Sequence, residues 1–179
     1  MSILTPKLLN RILEDYALPV GGTHGVPHWA RVLENGRKLA GIVGTDVDVI
    51  ELFAVFHDAR RVNDQRDDGH GNRGATLAHE LRGDYFELDD ERFSLLEYAC
   101  SWHTSGLTQA EIRVQVCWDS DRLDLLRVGT RPRNKLLCTS AAQQPDVLEW
   151  ASQRASARVV PELIQSEWGM DLEISPRQS

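Results

Sequence analysis

In the stretch LFAVFHDARR, residues 52–61, an apolar run ends abruptly in His57, Asp58, Arg60 and Arg61. Charge at the end of a core segment is costly to desolvate unless something compensates it. Neighbouring side chains on a helix leave the axis about 100° apart, so one atom lying between those directions can meet both His57 and Asp58. A divalent cation suits that place, because neutral imidazole and carboxylate are ligands for borderline and hard metals. Such an ion would offset the carboxylate and fix the imidazole tautomer. Three other places carry similar groups: His28, His103 within SWHTSG, and the run WDSDRLDLL at 118–126 with Asp119, Asp121 and Asp124. Each has a plainer reading when taken singly. His57 can be a helix C-terminal histidine favoured by the dipole, and DSDRLD can be a charged helix face that includes Arg122.

Helices must position these groups, because the apolar spacing is helical nearly everywhere. Leu8, Leu9, Ile12, Leu13 and Tyr16 form one stripe, with Thr5 as cap and Pro6 at the first position. A second helix is expected from about Pro27 to Gly44 and opens on His28, where a neutral imidazole is preferred to a cationic one. A third, over about 46–60, is apolar on nearly all sides from Val49 to Phe56, which places it centrally. Further helices are expected at about 72–86, 90–103 and 108–127, the last with a capping box of Thr108 and Glu111. One or two closing helices follow in DVLEWASQRA and VVPELIQSEWG, after a loop at GTRPRNK. Trp29, Trp102 and Trp118 adjoin the candidate groups, and at helical spacing they are expected in the core. GGTHG, residues 21–25, lacks the pattern of a phosphate-binding loop and reads as a helix connection.

Composition narrows the function classes. With 41% hydrophobic and 26% charged residues, the 179-residue chain is neither disordered nor fibrous. A net charge of -7 argues against a nucleic-acid-binding surface. Cys100, Cys117 and Cys138 form no C-x-x-C pair, which speaks against a disulfide framework or a cysteine zinc site. The N-terminal residues do not read as a signal peptide, and no apolar run has the length of a membrane span. A cytoplasmic protein is the expectation.

The order His28, His57-Asp58, Asp121 resembles the H…HD…D signature of the HD-domain metal-dependent phosphohydrolases. HWARVLENGRKLA is similar to that family's first motif helix, FHDARR to its second, HGNRGATLAHEL to its H-x-x-x-G-A helix start, and WDSDRLDLL to the helix that closes the site. The resemblance covers about residues 24–128. It implies an all-α, single-domain helical bundle over residues 1–170, followed by a frayed tail at 171–179. It implies metal ligands at His28, His57, Asp58 and Asp121, with Asp121 preferred because it directly precedes Arg-Leu. Asp119 and Asp124 would then be supporting or surface groups. His70 and His103 are candidates for a second metal or a phosphate contact, whereas His24 and His79 are expected to be structural or surface groups. Metal-activated water attacking a small phosphoester, nucleotides foremost, is the implied chemistry. Asp58 is a candidate proton acceptor, Arg61 a candidate phosphoryl clamp, and Arg31, Arg60 and Arg73 further substrate contacts, although Arg60 and Arg61 equally suit a solvated helix end. Mixed nitrogen and oxygen ligation favours Mn²⁺, Co²⁺, Ni²⁺ or Fe²⁺ over Mg²⁺, as one ion or two. Two alternatives stay open: a dinuclear-iron site that activates oxygen, and a non-catalytic domain that senses a nucleotide.

Overall fold

The computed structural model describes residues 2–172. Helix α1 (Pro6–Glu14) starts as expected, with the Thr5 side chain accepting from the Leu8 amide. Helix α2 (Val26–Val43) carries Pro27 in its first turn and ends on Gly44, whose φ of 77° is the left-handed conformation that suits glycine at a helix C-terminus. Helix α3 (Asp48–Phe56) is buried at every position from Val49 onward. It stops four residues sooner than the apolar pattern suggests. Beyond Phe56 the backbone tightens to i,i+3 bonds, Ala59 N–H to Phe56 and Arg61 N–H to Asp58, so the His-Asp pair sits on a turn at the helix end.

Helix α4 (His70–Leu81) begins with His70 itself, and helix α5 (Asp90–Trp102) is capped by Asp89. Helix α6 (Ile112–Arg122) starts later than the capping-box reading places it. The Glu111 carboxylate accepts from the Arg113 amide, which makes Glu111 the cap and leaves Thr108 outside the helix. A 3-10 turn at Leu125–Val128 follows, then a second at Asn134–Leu136 within the expected loop. Helices α7 (Pro145–Ser156) and α8 (Leu163–Ser166) close the fold.

α3 lies at the centre, packed against α2, α4, α5 and α6. Helix α4 comes so close to the end of α3 that a Cβ on Gly74 would fall onto the Phe56 carbonyl oxygen. Trp29, Trp118 and Trp168 are fully buried, but Trp102 is half exposed, which corrects its placement in the core. It ends α5 on the solvent side while its neighbour His103 turns inward. The described residues form one all-helical domain of eight α-helices. Of the expected frayed tail, residues 171 and 172 have no regular structure and 173–179 lie outside the described residues. None of the described helices is long and apolar enough to cross a membrane.

Candidate metal centre

Two histidine pairs meet at one aspartate. The first pair comes from α2 and the end of α3: His28 Nε2 lies 3.1 Å from His57 Nε2. Around them stand Asp58 Oδ2, at 3.6 and 3.8 Å, and Asp121 Oδ1, at 3.4 and 3.8 Å. The second pair comes from the start of α4 and the end of α5: His70 Nε2 lies 2.9 Å from His103 Nε2. Asp58 Oδ1 is 3.1 Å from the former and 3.8 Å from the latter. One carboxylate therefore offers an oxygen to each pair. A Cβ on Gly71 would collide with the Cys100 carbonyl and crowd the His103 ring, so the glycine lets α4 bring His70 this close.

The outer ring nitrogens decide what the inner ones can do. His57 Nδ1 donates to the Phe53 carbonyl, His70 Nδ1 to Asp67 O and His103 Nδ1 to Cys100 O, at 3.1, 2.6 and 2.7 Å. A carbonyl oxygen only accepts, so each Nδ1 carries the proton and each Nε2 presents a lone pair. His28 Nδ1 donates likewise to the Asp124 carboxylate at 2.7 Å. Two lone pairs facing each other across about 3 Å repel unless a cation lies between them. Four inward lone pairs and the carboxylates of Asp58 and Asp121 thus fit one or two divalent cations, and the nitrogen and oxygen donor set suits borderline transition metals. Two groups have the closeness a metal ion requires, His28 with His57 and Asp58, and Asp58 with His70 and His103.

The electrostatics agree with that arrangement. Burial, with help from Arg127 and His57, pushes the His28 imidazole well below its ordinary value. Burial likewise lowers His103, to about 4. Burial alone would raise the Asp58 carboxyl, but His57, the contacts from His24 and His70, and His28 together hold it well below the usual range. Asp121 is lowered for similar reasons, with burial overcome by His57, Arg127 and His28. His70 is the exception. Its partial desolvation is outweighed by Asp58, which raises it.

Several supporting groups carry no motif. His24, expected to be structural or surface, sits with Nδ1 2.9 Å from Asp58 Oδ2 and is buried. Its only mark in the sequence is its place four residues before His28. Arg127 was not singled out at all; it donates to the Thr23 and Asp124 carbonyls and reaches within 4.0 Å of Asp121. Asp124 accepts from His28 and also takes both arms of the Arg31 guanidinium, at 2.7 and 3.0 Å. Asp119 instead faces away from the centre and accepts from the Cys138 and Thr139 amides and the Thr139 hydroxyl.

The arginines named as substrate contacts are distributed differently from expectation. Arg31 is engaged by Asp124 and the Val159 carbonyl, so it braces His28 from behind. Arg60 donates to the Ile12 and Ala59 carbonyls, and Arg73 to Asp67 and the Arg60 carbonyl; neither is brought to the cluster, because each ties a chain segment down elsewhere. Arg61 is at the centre. Its Nη1 stands 3.1 Å from His70 Nε2 and 3.6 Å from Asp58 Oδ1, with the rest of its fork fixed on Asn63 O and Gln65 O. His79 is exposed beside Glu97, far from this role.

Fold and site together define a helical domain built around two histidine pairs that share an aspartate. A crystal structure described as that of a predicted HD superfamily hydrolase, from an uncultured Thermotogales bacterium, has the same fold. It matches with a TM-score of 0.61 over 92% of this chain and 91% of that one, at 22% sequence identity. The likeness is one of fold. No family model matches the chain, and no curated protein does.

Proposed function

We propose that the protein is an HD-superfamily metal-dependent phosphohydrolase that cleaves a small phosphoester, nucleotides being the substrate class, in the cytoplasm and without a nucleic-acid or membrane partner. The observation that carries this reading is the convergence of four Nε2 lone pairs on the two oxygens of Asp58. His28, His57, Asp58 and Asp121 would hold one ion, and His70 and His103 with Asp58 offer a second position. A metal bound there supplies a nucleophile near neutral pH by lowering the pKa of its water, and polarises the phosphoryl group.

The chain's own residues orient and hold. Asp124 and the Phe53 carbonyl fix the His28 and His57 tautomers, while His24 holds Asp58 in place. The acidity of Asp58 would suit it to hold a metal in preference to accepting a proton. Arg61 Nη1, 3.6 Å from Asp58 Oδ1, would meet a phosphoryl oxygen with a charge-assisted hydrogen bond.

The second His/Asp group is what an oxygen-activating two-iron site would need. Arg61 counts against it, since its guanidinium puts positive charge beside His70 where that iron would sit. The test is phosphate release from a panel of nucleotides and a generic phosphoester, with protein stripped of metal and resupplied with Mn²⁺, Co²⁺, Ni²⁺ or Mg²⁺. Release that depends on metal and disappears in Asp58→Ala is the expected result. Silence with every metal, together with a two-iron absorption band in protein loaded with iron, would replace this reading by the oxygen-activating one.

A further inference from the structure

A cavity of about 300 Å³ opens directly beside the candidate metal centre, with His103 and Asp121 in its wall. It lies on the open side of the cluster. The Asp121 side chain is 14% exposed, against none for His28 and His57 and 3% for Asp58. A phosphoryl group bound at the cluster would extend its leaving group into this space.

The rest of the wall comes from Leu125 and the segment after Gly129. Leu125, Pro132, Leu136 and Leu137 make it largely apolar, and Arg131 and Arg133 stand at its mouth. The wall is braced at its C-terminal end. Arg122 donates to the Leu136 and Leu107 carbonyls at 2.6 and 2.7 Å, and Asp119 accepts from the Cys138 and Thr139 amides. Arg131 and Arg133, in contrast, are exposed and make no ion pair or side-chain hydrogen bond among the described residues. In a chain with a net charge of -7, two unpaired guanidinium groups flanking an apolar cavity mark a place for an anion. The volume is at the small end of ligand sites and takes one ring system.

We propose that Thr130–Leu137 is the substrate-recognition wall, and that within the nucleotide class it selects a phosphoester whose leaving group joins one flat ring system, its face against the apolar wall, to a second negative group. The ring packs on Pro132 and Leu136, and the second anion meets Arg131 and Arg133. This rests on the phosphohydrolase reading for the identity of the group held at the cluster. The two can still be separated, because selection by the wall is read from binding as well as from turnover.

The experiment compares benzylphosphonate with 4-carboxybenzylphosphonate by calorimetric titration of the Mn²⁺-loaded protein, and phenyl phosphate with 4-carboxyphenyl phosphate in turnover. The carboxylated member is expected to bind tenfold tighter or better. That preference should collapse towards unity in the Arg131→Gln/Arg133→Gln double variant, whose exposed positions leave the thermal unfolding temperature unchanged. A binding preference without turnover would sustain the wall and overturn the hydrolase reading. Turnover with the same preference in wild type and double variant, or with no preference at all, would overturn the wall.

Discussion

Asp58 is surrounded by five imidazoles and a guanidinium, and this crowding sets how the metal-free protein responds to acid. His28 and His103 are held below the ordinary imidazole value, mainly by burial. A depressed pKa means the unfolded chain takes up the proton first. Their contribution to stability is therefore complete above about pH 6.5 and lost as pH falls towards the folded value, about 4 for His103. For His103 alone that amounts to about 3 kcal/mol across the window. His70, raised by Asp58, works the other way and stays favourable as pH falls, while the Asp58 carboxylate yields only below the usual carboxylate range. Thermal unfolding in the presence of a chelator should drop steeply between pH 6.5 and 4.5, and more gently in His103→Gln. A flat profile would contradict the buried neutral imidazoles. Arg61 supports a second prediction at this scale. Its Nη1 satisfies the His70 lone pair that a second ion would use, so wild type should retain one equivalent of metal after dialysis and Arg61→Ala two. Equal metal content by elemental analysis would show that the guanidinium does not compete.

At the scale of elements, the junction of α3 and α4 delivers three of the candidate ligands, and it depends on backbone contact. Gly74→Ala would place a methyl on the Phe56 carbonyl. Helix α4 would have to move off α3 and carry His70 away from Asp58. Overpacking of this kind costs about 1–3 kcal/mol, and metal affinity should weaken with it. Gly41→Ala is the control. Gly41 lies within α2 with nothing near its Cβ position, so that substitution should stabilise by about 0.5–1 kcal/mol. Similar denaturation midpoints for the two variants would remove the close-contact argument. This junction also shows what the sequence discloses. The helices themselves were legible, because apolar spacing reports the buried face of α1, α2 and α3 whatever they pack against. Their ends were not. Helix α3 gives way to tighter turns at His57, and α6 waits for the Glu111 cap, both through hydrogen bonds that spacing does not encode. Gly74 stood out only as part of a motif; the Phe56 carbonyl is the reason for it.

Across the whole molecule, the candidate ligands come from α2, the turn after α3, the start of α4, the end of α5 and α6, which are the elements that enclose the core. His28, His57, Asp58 and Asp121 were legible because their order and spacing form a motif. The groups that hold them in place were not. Asp124, Arg127 and His24 act through contacts spanning 96, 103 and 34 residues of sequence. The wall at Thr130–Leu137 likewise depends on Asp119 and Arg122, whose partners lie 14 to 20 residues away. A candidate ligand set gathered from five elements would tie metal binding to global stability, because the unfolded chain cannot assemble it. Any ion that binds only the folded state adds RT ln(1 + [L]/Kd), about 4 kcal/mol at a thousandfold excess over Kd. For a domain of this size each kcal/mol shifts the unfolding midpoint by about 2–4 °C. Adding Mn²⁺ or Co²⁺ to chelator-treated protein should therefore raise Tm by about 8–16 °C at saturation. His57→Ala, which removes a candidate ligand at the centre of the fold, should abolish most of that rise even where the variant itself remains folded. If Tm were the same with chelator and with each metal, the converging lone pairs would not be a metal site, and the repulsion between them would need another cation to explain it.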